Sequence, residues 1–175
     1  MSYRFVMTAF GKDRVGFVAD VTRLLYENDC NLEDTSMNLL MDEFTISLLF
    51  SSSNESVQDQ LVRECRRLEM EKGISAFIRQ LPGMEPPSQN GRTCTLHIEG
   101  LDQSGIVFKT SKFLAERQLN ILHLNSISKP SPQSGAPMYN MDIHIQVPEG
   151  ISLPQLEDEL GRVADELQVD ISLSR

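Results

Sequence analysis

The hexapeptide Gly11–Gly16, which reads Gly-Lys-Asp-Arg-Val-Gly, recurs 89 residues later as Gly100–Gly105, which reads Gly-Leu-Asp-Gln-Ser-Gly. Beyond it, three further positions match at the same offset: Val18 and Val107, Leu25 and Leu114, and Asn31 and Asn120. Self-similarity at a fixed offset indicates that one structural unit occurs twice along the chain.

A Pro- and Gly-rich stretch separates the two copies. Residues 82–91 read Pro-Gly-Met-Glu-Pro-Pro-Ser-Gln-Asn-Gly, which cannot continue a helix or a central strand. We therefore predict a first domain over 1–81, a linker over 82–91 and a second domain over 92–175. Beyond Ser128–Pro137 the offset between matching residues grows to 95, so this stretch contains a six-residue insertion in the second copy.

Hydrophobic periodicity predicts the order β-α-β-β-α-β in each copy. Cys94, Leu96 and Ile98 alternate with polar residues, as in a strand with one buried face. Within 17–28, apolar residues recur at helical spacing instead: Phe17, Val18, Val21, Leu24 and Leu25. The last strands are predicted over 74–78 and 169–173. Two helices that cover one face of a four-stranded antiparallel sheet would bury these residues, so the predicted fold class is α+β, with two ferredoxin-like βαββαβ domains in tandem.

Composition and charge exclude several classes of function. The 175 residues include 16 Lys and Arg against 25 Asp and Glu, a net charge of −9 that repels phosphate backbones. We therefore expect no direct nucleic-acid partner. No apolar run reaches the roughly 18 to 20 residues of a membrane span, and residues 1–10 lack the pattern of a signal peptide. We expect a cytoplasmic protein with no membrane partner, whose three cysteines are reduced.

No motif in the sequence places a nucleophile, a general base or a set of metal ligands. The Walker and GxGxxG patterns of phosphate-binding loops are absent. The three histidines, His97, His123 and His144, fall on predicted strands of the second copy, where they are expected to face solvent rather than bind a metal. We therefore expect no catalytic residues, no metal and no cofactor, and the protein is not expected to be an enzyme.

Residues 13–26, with 28–36 and 42–46, resemble the ACT domain family. The closest resemblance is to tandem ACT proteins related to the glycine cleavage system transcriptional repressor, and it covers nearly the whole chain. Both Asp13–Gly16 and Asp102–Gly105 match the family's Asp-x-Pro-Gly loop, although both lack its proline. The resemblance implies that each copy is an ACT domain. It also implies regulation, because ACT domains bind amino acids or other metabolites at interfaces between domains and pass the signal to an enzyme or a transcription factor.

In this family, ligand contacts typically come from the loop after the first strand and from an Asn just after the first helix. The resemblance therefore marks ten candidate ligand-binding residues: Asp13, Arg14, Val15, Gly16 and Asn31, and Asp102, Gln103, Ser104, Gly105 and Asn120. A glycine-ended loop that leads into a helix offers backbone N–H groups to a carboxylate. Asp and Asn oxygens can accept hydrogen bonds from an ammonium group. The alternative is that the aspartates only stabilise the helix N-termini and the glycines only make turns.

Two functions remain open from the sequence. The first is a regulatory protein that senses a small amino acid, such as glycine or serine, and acts through a protein partner, either a transcription factor or a metabolic enzyme. Such a protein could control transcription of amino-acid metabolism genes without binding DNA itself. The alternative is a non-catalytic interaction or oligomerisation module with no metabolite ligand. A domain of about 80 residues leaves unpaired sheet edges, so a homo-oligomer is expected in both cases.

Overall fold

The computed structural model of the protein describes residues 2–82, 91–132 and 134–174. The chain divides into two compact units, Met1–Pro87 and Ser88–Arg175. Apart from Pro82 and Gly91, the predicted linker 82–91 lies outside the described residues.

Each unit has the element order β-α-β-β-α-β. The first unit consists of β1 (Tyr3–Lys12), α1 (Phe17–Glu27), β2 (Asn31–Leu40), β3 (Glu43–Ser52), α2 (Val57–Lys72) and β4 (Ser75–Gln80). The second consists of β5 (Arg92–Leu101), α3 (Ile106–Glu116), β6 (Asn120–Pro130), β7 (Pro137–Val147), α4 (Leu153–Leu167) and β8 (Val169–Ser174).

The strands form one antiparallel sheet in each unit, with the order β2-β3-β1-β4 in the first and β6-β7-β5-β8 in the second. Each β-α-β crossover therefore passes over one strand: the first over the strand that follows it in the chain, and the second over the first strand of the unit. The predicted fold class, two ferredoxin-like βαββαβ domains in tandem, is confirmed.

One face of each sheet forms the core beneath the two helices. In β1, the alternate residues Phe5, Met7 and Ala9 are completely buried. The ring of Phe5 stacks on that of Phe50 in β3, with centroids 5.4 Å apart. In β5, Leu96 and its neighbours on the same face are buried in the same way. Since burial of apolar area contributes about 25 cal/mol per Å², these two clusters supply the main stabilisation of the units.

The structure corrects several details of the predicted elements. Val18, expected in the apolar stripe of α1, is 39% exposed because it lies on the flank of the buried face. The strand predicted over 74–78 is Ser75–Gln80, and the buried Ile74 precedes it. The insertion at 128–137 extends the hairpin, since β6 continues to Pro130 and β7 begins at Pro137.

Among the described residues, no helix is both long and apolar enough to cross a membrane.

Thr110 in α3 should reduce the stability of the second unit. Its side chain is completely buried, and Oγ1 has no hydrogen-bond partner within the described part of the chain. The equivalent residue of the first repeat is Val21, which is also completely buried. Replacing Thr110 by Val should raise the free energy of unfolding by about 1 kcal/mol, because it removes a polar group that was buried unpaired. The mirror change, Val21→Thr, should lower it by about 1 to 3 kcal/mol. Urea denaturation measures both, and an unchanged or lower stability of Thr110→Val would contradict this account.

Cys65 in α2 should be unreactive in the native state. Burial raises the pKa of its thiol from 9.0 to about 11, which lowers the thiolate fraction at pH 8 about 100-fold. Alkylation by iodoacetamide, followed by peptide mass spectrometry, should therefore label Cys65 slowly in the native protein and quickly in urea. The half-buried Cys30 should react earlier than Cys65. Equal labelling of Cys65 in both states would show that this helix face opens readily.

Candidate ligand site

The two loops predicted to bind a ligand connect the first strand of each unit to its first helix. Gly16 caps α1 with φ 91°, and Gly105 caps α3 with φ 98°. Both values lie in the left-handed region, which side chains other than glycine rarely adopt. Neither helix receives a hydrogen bond from a side chain at its cap residue. The two N-termini therefore keep backbone N–H groups that can bind an anion.

Two backbone hydrogen bonds recur in both loops, and in the first loop the N–H of Phe17 also donates to the carbonyl of Arg14 (3.3 Å). The N–H of Asp13 donates to the carbonyl of Asp42 (2.7 Å), and that of Asp102 donates to the carbonyl of Pro137 (2.9 Å). The first helical turn is closed by Asp20 N–H to Gly16 O in one unit and by Lys109 N–H to Gly105 O in the other, both at 2.9 Å. The repeated hexapeptide thus encodes one backbone conformation, used twice.

The side chains of the first loop extend over the surface. Nη2 of Arg14 lies 2.6 Å from Oδ2 of Asp20, and Nη1 donates to the carbonyl of Val15 (3.3 Å). The hydrogen bond from Arg14 lowers the pKa of the Asp20 carboxyl below its ordinary value. Val15 is fully exposed. The carboxylate of Asp13 is exposed and has no hydrogen bond or ion pair to any other described residue.

The side chains of the second loop bond to other elements of their unit. Oδ2 of Asp102 accepts a hydrogen bond from the hydroxyl of Ser128 in β6 (2.7 Å). The side-chain amide of Gln103 donates to the carbonyl of Leu167, the last residue of α4. Ser104 and the other side chains of the loop lie at the surface. The second loop is therefore connected to β6 and α4 through its own side chains.

The two candidate asparagines do not lie beside these loops. Asn31 pairs with Ser51, which pairs with Arg4 near the start of β1, whereas the loop 13–16 follows Lys12 at the end of β1. Eight residues of extended strand separate the two ends, or about 27 Å. Asn120 is equally far from its loop, since it pairs with Gln146, which is opposite Thr93 at the start of β5. Within one unit, therefore, the loop and the asparagine cannot contact the same small ligand. The β-α-β order could have revealed this, because the helix returns the chain to the end of the sheet where the first strand began.

Sequence reasoning missed a row of hydrogen bonds on the open face of the second sheet. Nδ1 of His97 lies 2.6 Å from Oδ1 of Asp142, and its Nε2 lies 3.0 Å from the hydroxyl of Ser174. The side chains of His97 and Asp142 are 50% and 54% exposed, so solvent weakens this interaction. His144 bonds to Thr95 (3.1 Å). No group of three metal-binding side chains occurs within 2–82, 91–132 and 134–174.

Any side chain at Gly105 should lower the stability of the protein, because of the backbone conformation and not because of a steric clash. A Cβ atom at Gly105 would meet no atom within 4 Å, but φ lies at +98°. Gly105→Ala should therefore lower the free energy of unfolding by about 1 to 2 kcal/mol. Gly161 in the middle of α4 is the matched control, because its Cβ also meets open space and its backbone is helical. Gly161→Ala should raise stability by about 0.5 to 1 kcal/mol. Chemical denaturation would refute the explanation if both variants shifted stability in the same direction.

Comparison with known proteins places the first unit and its loop in a family. Residues 3–78 match the ACT domain family. The glycine cleavage system transcriptional repressor of Escherichia coli is 22% identical over 169 residues, which cover 97% of this chain and 88% of that protein. The UPF0237 protein NMB1653 of Neisseria meningitidis is 38% identical over 71 residues, which cover 38% of this chain and 79% of that protein. The crystal structure of an unknown protein from Galdieria sulphuraria matches with a TM-score of 0.80 and 28% identity, covering 99% of this chain and 98% of the other. The first unit of the chain therefore belongs to the ACT domain family, and the second unit repeats its fold.

Proposed function

We propose that this protein is a regulator that binds a small amino acid, such as glycine or serine, and acts through a protein partner. One observation carries the proposal: the left-handed turn at Gly16 leaves the N-terminus of α1 without a side-chain cap, and the loop before it carries the exposed side chains of Asp13 and Arg14. Backbone N–H groups and a guanidinium suit a carboxylate, and the carboxylate of Asp13 suits an ammonium. These are the two charged groups that every free amino acid carries.

A second ACT unit completes the site. The loop 13–16 is exposed, so a ligand bound to it alone would remain largely in water and bind weakly. Asn31 starts β2, an outer strand whose ten residues are all exposed, while Leu40 ends β2 in the same row as Lys12. When two outer strands pair antiparallel, the start of one lies beside the end of the other. Pairing of two β2 strands would thus bring Asn31 of one unit to the loop of the other, in a homo-oligomer.

The regulatory part of the proposal rests on relatives and on charge. The Escherichia coli relative is named as a transcriptional repressor of the glycine cleavage system. A net charge of −9 opposes tight contact with DNA, so regulation here would pass through a protein, either a transcription factor or a metabolic enzyme. The ligand then acts by its different affinities for the free and the partner-bound states.

Isothermal titration with glycine, serine and the other amino acids tests the proposal. We expect saturable binding of one of them with a Kd between micromolar and millimolar, or about −8 to −4 kcal/mol. Asn31→Ala should weaken that binding about tenfold, because it removes an acceptor for the ammonium. Asn125→Ala, an exposed asparagine on the outer strand β6, is the matched control and should bind normally.

A mixing experiment tests the shared site. Gly16→Val should also weaken binding, because its side chain forces the loop out of the left-handed turn. In mixed oligomers of Gly16→Val and Asn31→Ala chains, one site in two regains an intact loop and an intact asparagine. Recovery of part of the binding on mixing is expected. Two weak variants that stay weak when mixed would show that the loop and Asn31 do not act across chains.

The alternative function, an assembly module without a metabolite, is favoured by one specific observation. Phe10 and Phe77 lie on the sheet face opposite the helices of the first unit, where their rings stack with centroids 6.2 Å apart, although they are 41% and 66% exposed. Exposed aromatic pairs of this kind occur at protein interfaces. Stable oligomers in analytical ultracentrifugation, together with no heat from any amino acid, would favour this function over sensing.

A further inference from the structure

The two loops have nearly the same backbone but different side-chain environments. Their cap glycines have φ and ψ of 91° and −1° in one unit and 98° and −8° in the other. Equivalent hydrogen bonds hold both loops. The loops differ more clearly in what the side chains at 13 and 14 contact, compared with those at 102 and 103.

The second loop is closed by its own side chains. Gln103, the equivalent of Arg14, uses its amide to bond the last carbonyl of α4, which is one of the carbonyls that a helix end leaves without a partner inside the helix. Asp102, the equivalent of Asp13, has one carboxylate oxygen bonded to Ser128. These bonds direct the two side chains toward α4 and β6, so a ligand would have to use the second oxygen of Asp102 and the second N–H of Gln103, or break the bonds. Gln103 also carries no charge to attract a carboxylate.

In the first loop, the carboxylate of Asp13 has no bond to another described residue, and Arg14 keeps N–H donors that its own bonds do not use. At the position that matches Ser128 at an offset of 89 residues, the first repeat has Leu39, which cannot donate a hydrogen bond to Asp13. Arg14 already holds a carboxylate, that of Asp20, at 2.6 Å. A guanidinium has five N–H donors, and the two hydrogen bonds of Arg14 use one on Nη1 and one on Nη2. Arg14 can therefore bind a second carboxylate, or exchange Asp20 for it.

We infer that the two ACT units have diverged in role. Arg14 selects a carboxylate ligand at the first loop. The second loop has a structural role, because its side chains connect it to α4 and β6. One chain then binds one amino acid, at the loop 13–16. This inference rests on the proposed function and adds to it the stoichiometry and the residue that recognises the carboxylate.

The first test is titration of the wild-type chain with the amino acid that binds it and with the amide of that amino acid. We expect one ligand per chain and at least about tenfold weaker binding of the amide, because the amide lacks the charge that Arg14 recognises. Two ligands per chain, or equal binding of the amide, would overturn the inference and leave amino-acid sensing intact. No binding by any amino acid would overturn both the inference and the proposed function.

A set of matched variants then separates ligand contact from a structural role of Arg14. Arg14→Gln gives the first loop the residue found in the second, and it should weaken binding about tenfold or more. Asp20→Asn removes the internal partner of Arg14, and it should leave affinity unchanged or increase it. If Arg14 acted only by fixing Asp20, both variants would weaken binding equally, which would overturn its assignment. Arg14→Lys keeps the positive charge but loses the planar guanidinium that can donate two parallel hydrogen bonds to a carboxylate. It should give an intermediate affinity.

Gln103→Ala tests the structural role of the second loop. It should leave affinity and stoichiometry unchanged and lower the stability of the protein, because the carbonyl of Leu167 loses its donor. Circular dichroism confirms that each variant is folded before titration. A fall in stoichiometry or affinity in folded Gln103→Ala would show that the second loop also binds ligand.

Discussion

Both units of this protein depend on the burial of one face of a four-stranded sheet beneath two helices. The residues of that face include Phe5, Met7, Leu48 and Phe50 in the first unit, all of which are completely buried. The outer strand β2 pairs with β3 on one side only, and its residues are exposed along its whole length. No helix of the described residues of either unit covers the opposite face of its sheet. The surfaces available for a ligand or a partner follow directly from this arrangement.

The same arrangement determines where a ligand can bind. The chain must turn sharply where the first strand of each unit ends and the first helix begins. Gly16 and Gly105 make this turn with left-handed backbone conformations. The helix then returns the chain along the sheet, which places Asn31 and Asn120 at the opposite end. The proposed site therefore needs groups from two ACT units, and ligand binding would be linked to assembly. Such linkage gives a small ligand a means to change which partner the protein binds.

Duplication has preserved the backbone of this turn and has changed its chemistry. In the second unit, Gln103 and Asp102 connect the loop to α4 and β6, whereas in the first unit Arg14 and Asp13 extend over the surface. Elsewhere, buried Val21 in one unit corresponds to buried Thr110 in the other, whose hydroxyl has no partner among the described residues. Differences at single positions thus give two units of one fold distinct properties.

The sequence by itself determined the repeat, the fold class and the positions of the two turns. Period-two alternation and helical spacing report burial directly, and a glycine that repeats at a strand end indicates a turn, so these features follow from the sequence alone. The tertiary structure alone decided which side chains meet. The position of Asn31 at the other end of the sheet is implied by the β-α-β order, whereas the contact of Gln103 with Leu167 is not. His97 likewise meets Asp142 and Ser174 across three strands. Such contacts depend on strand register and on the direction in which each helix returns, and no local pattern of residues encodes these long-range distances.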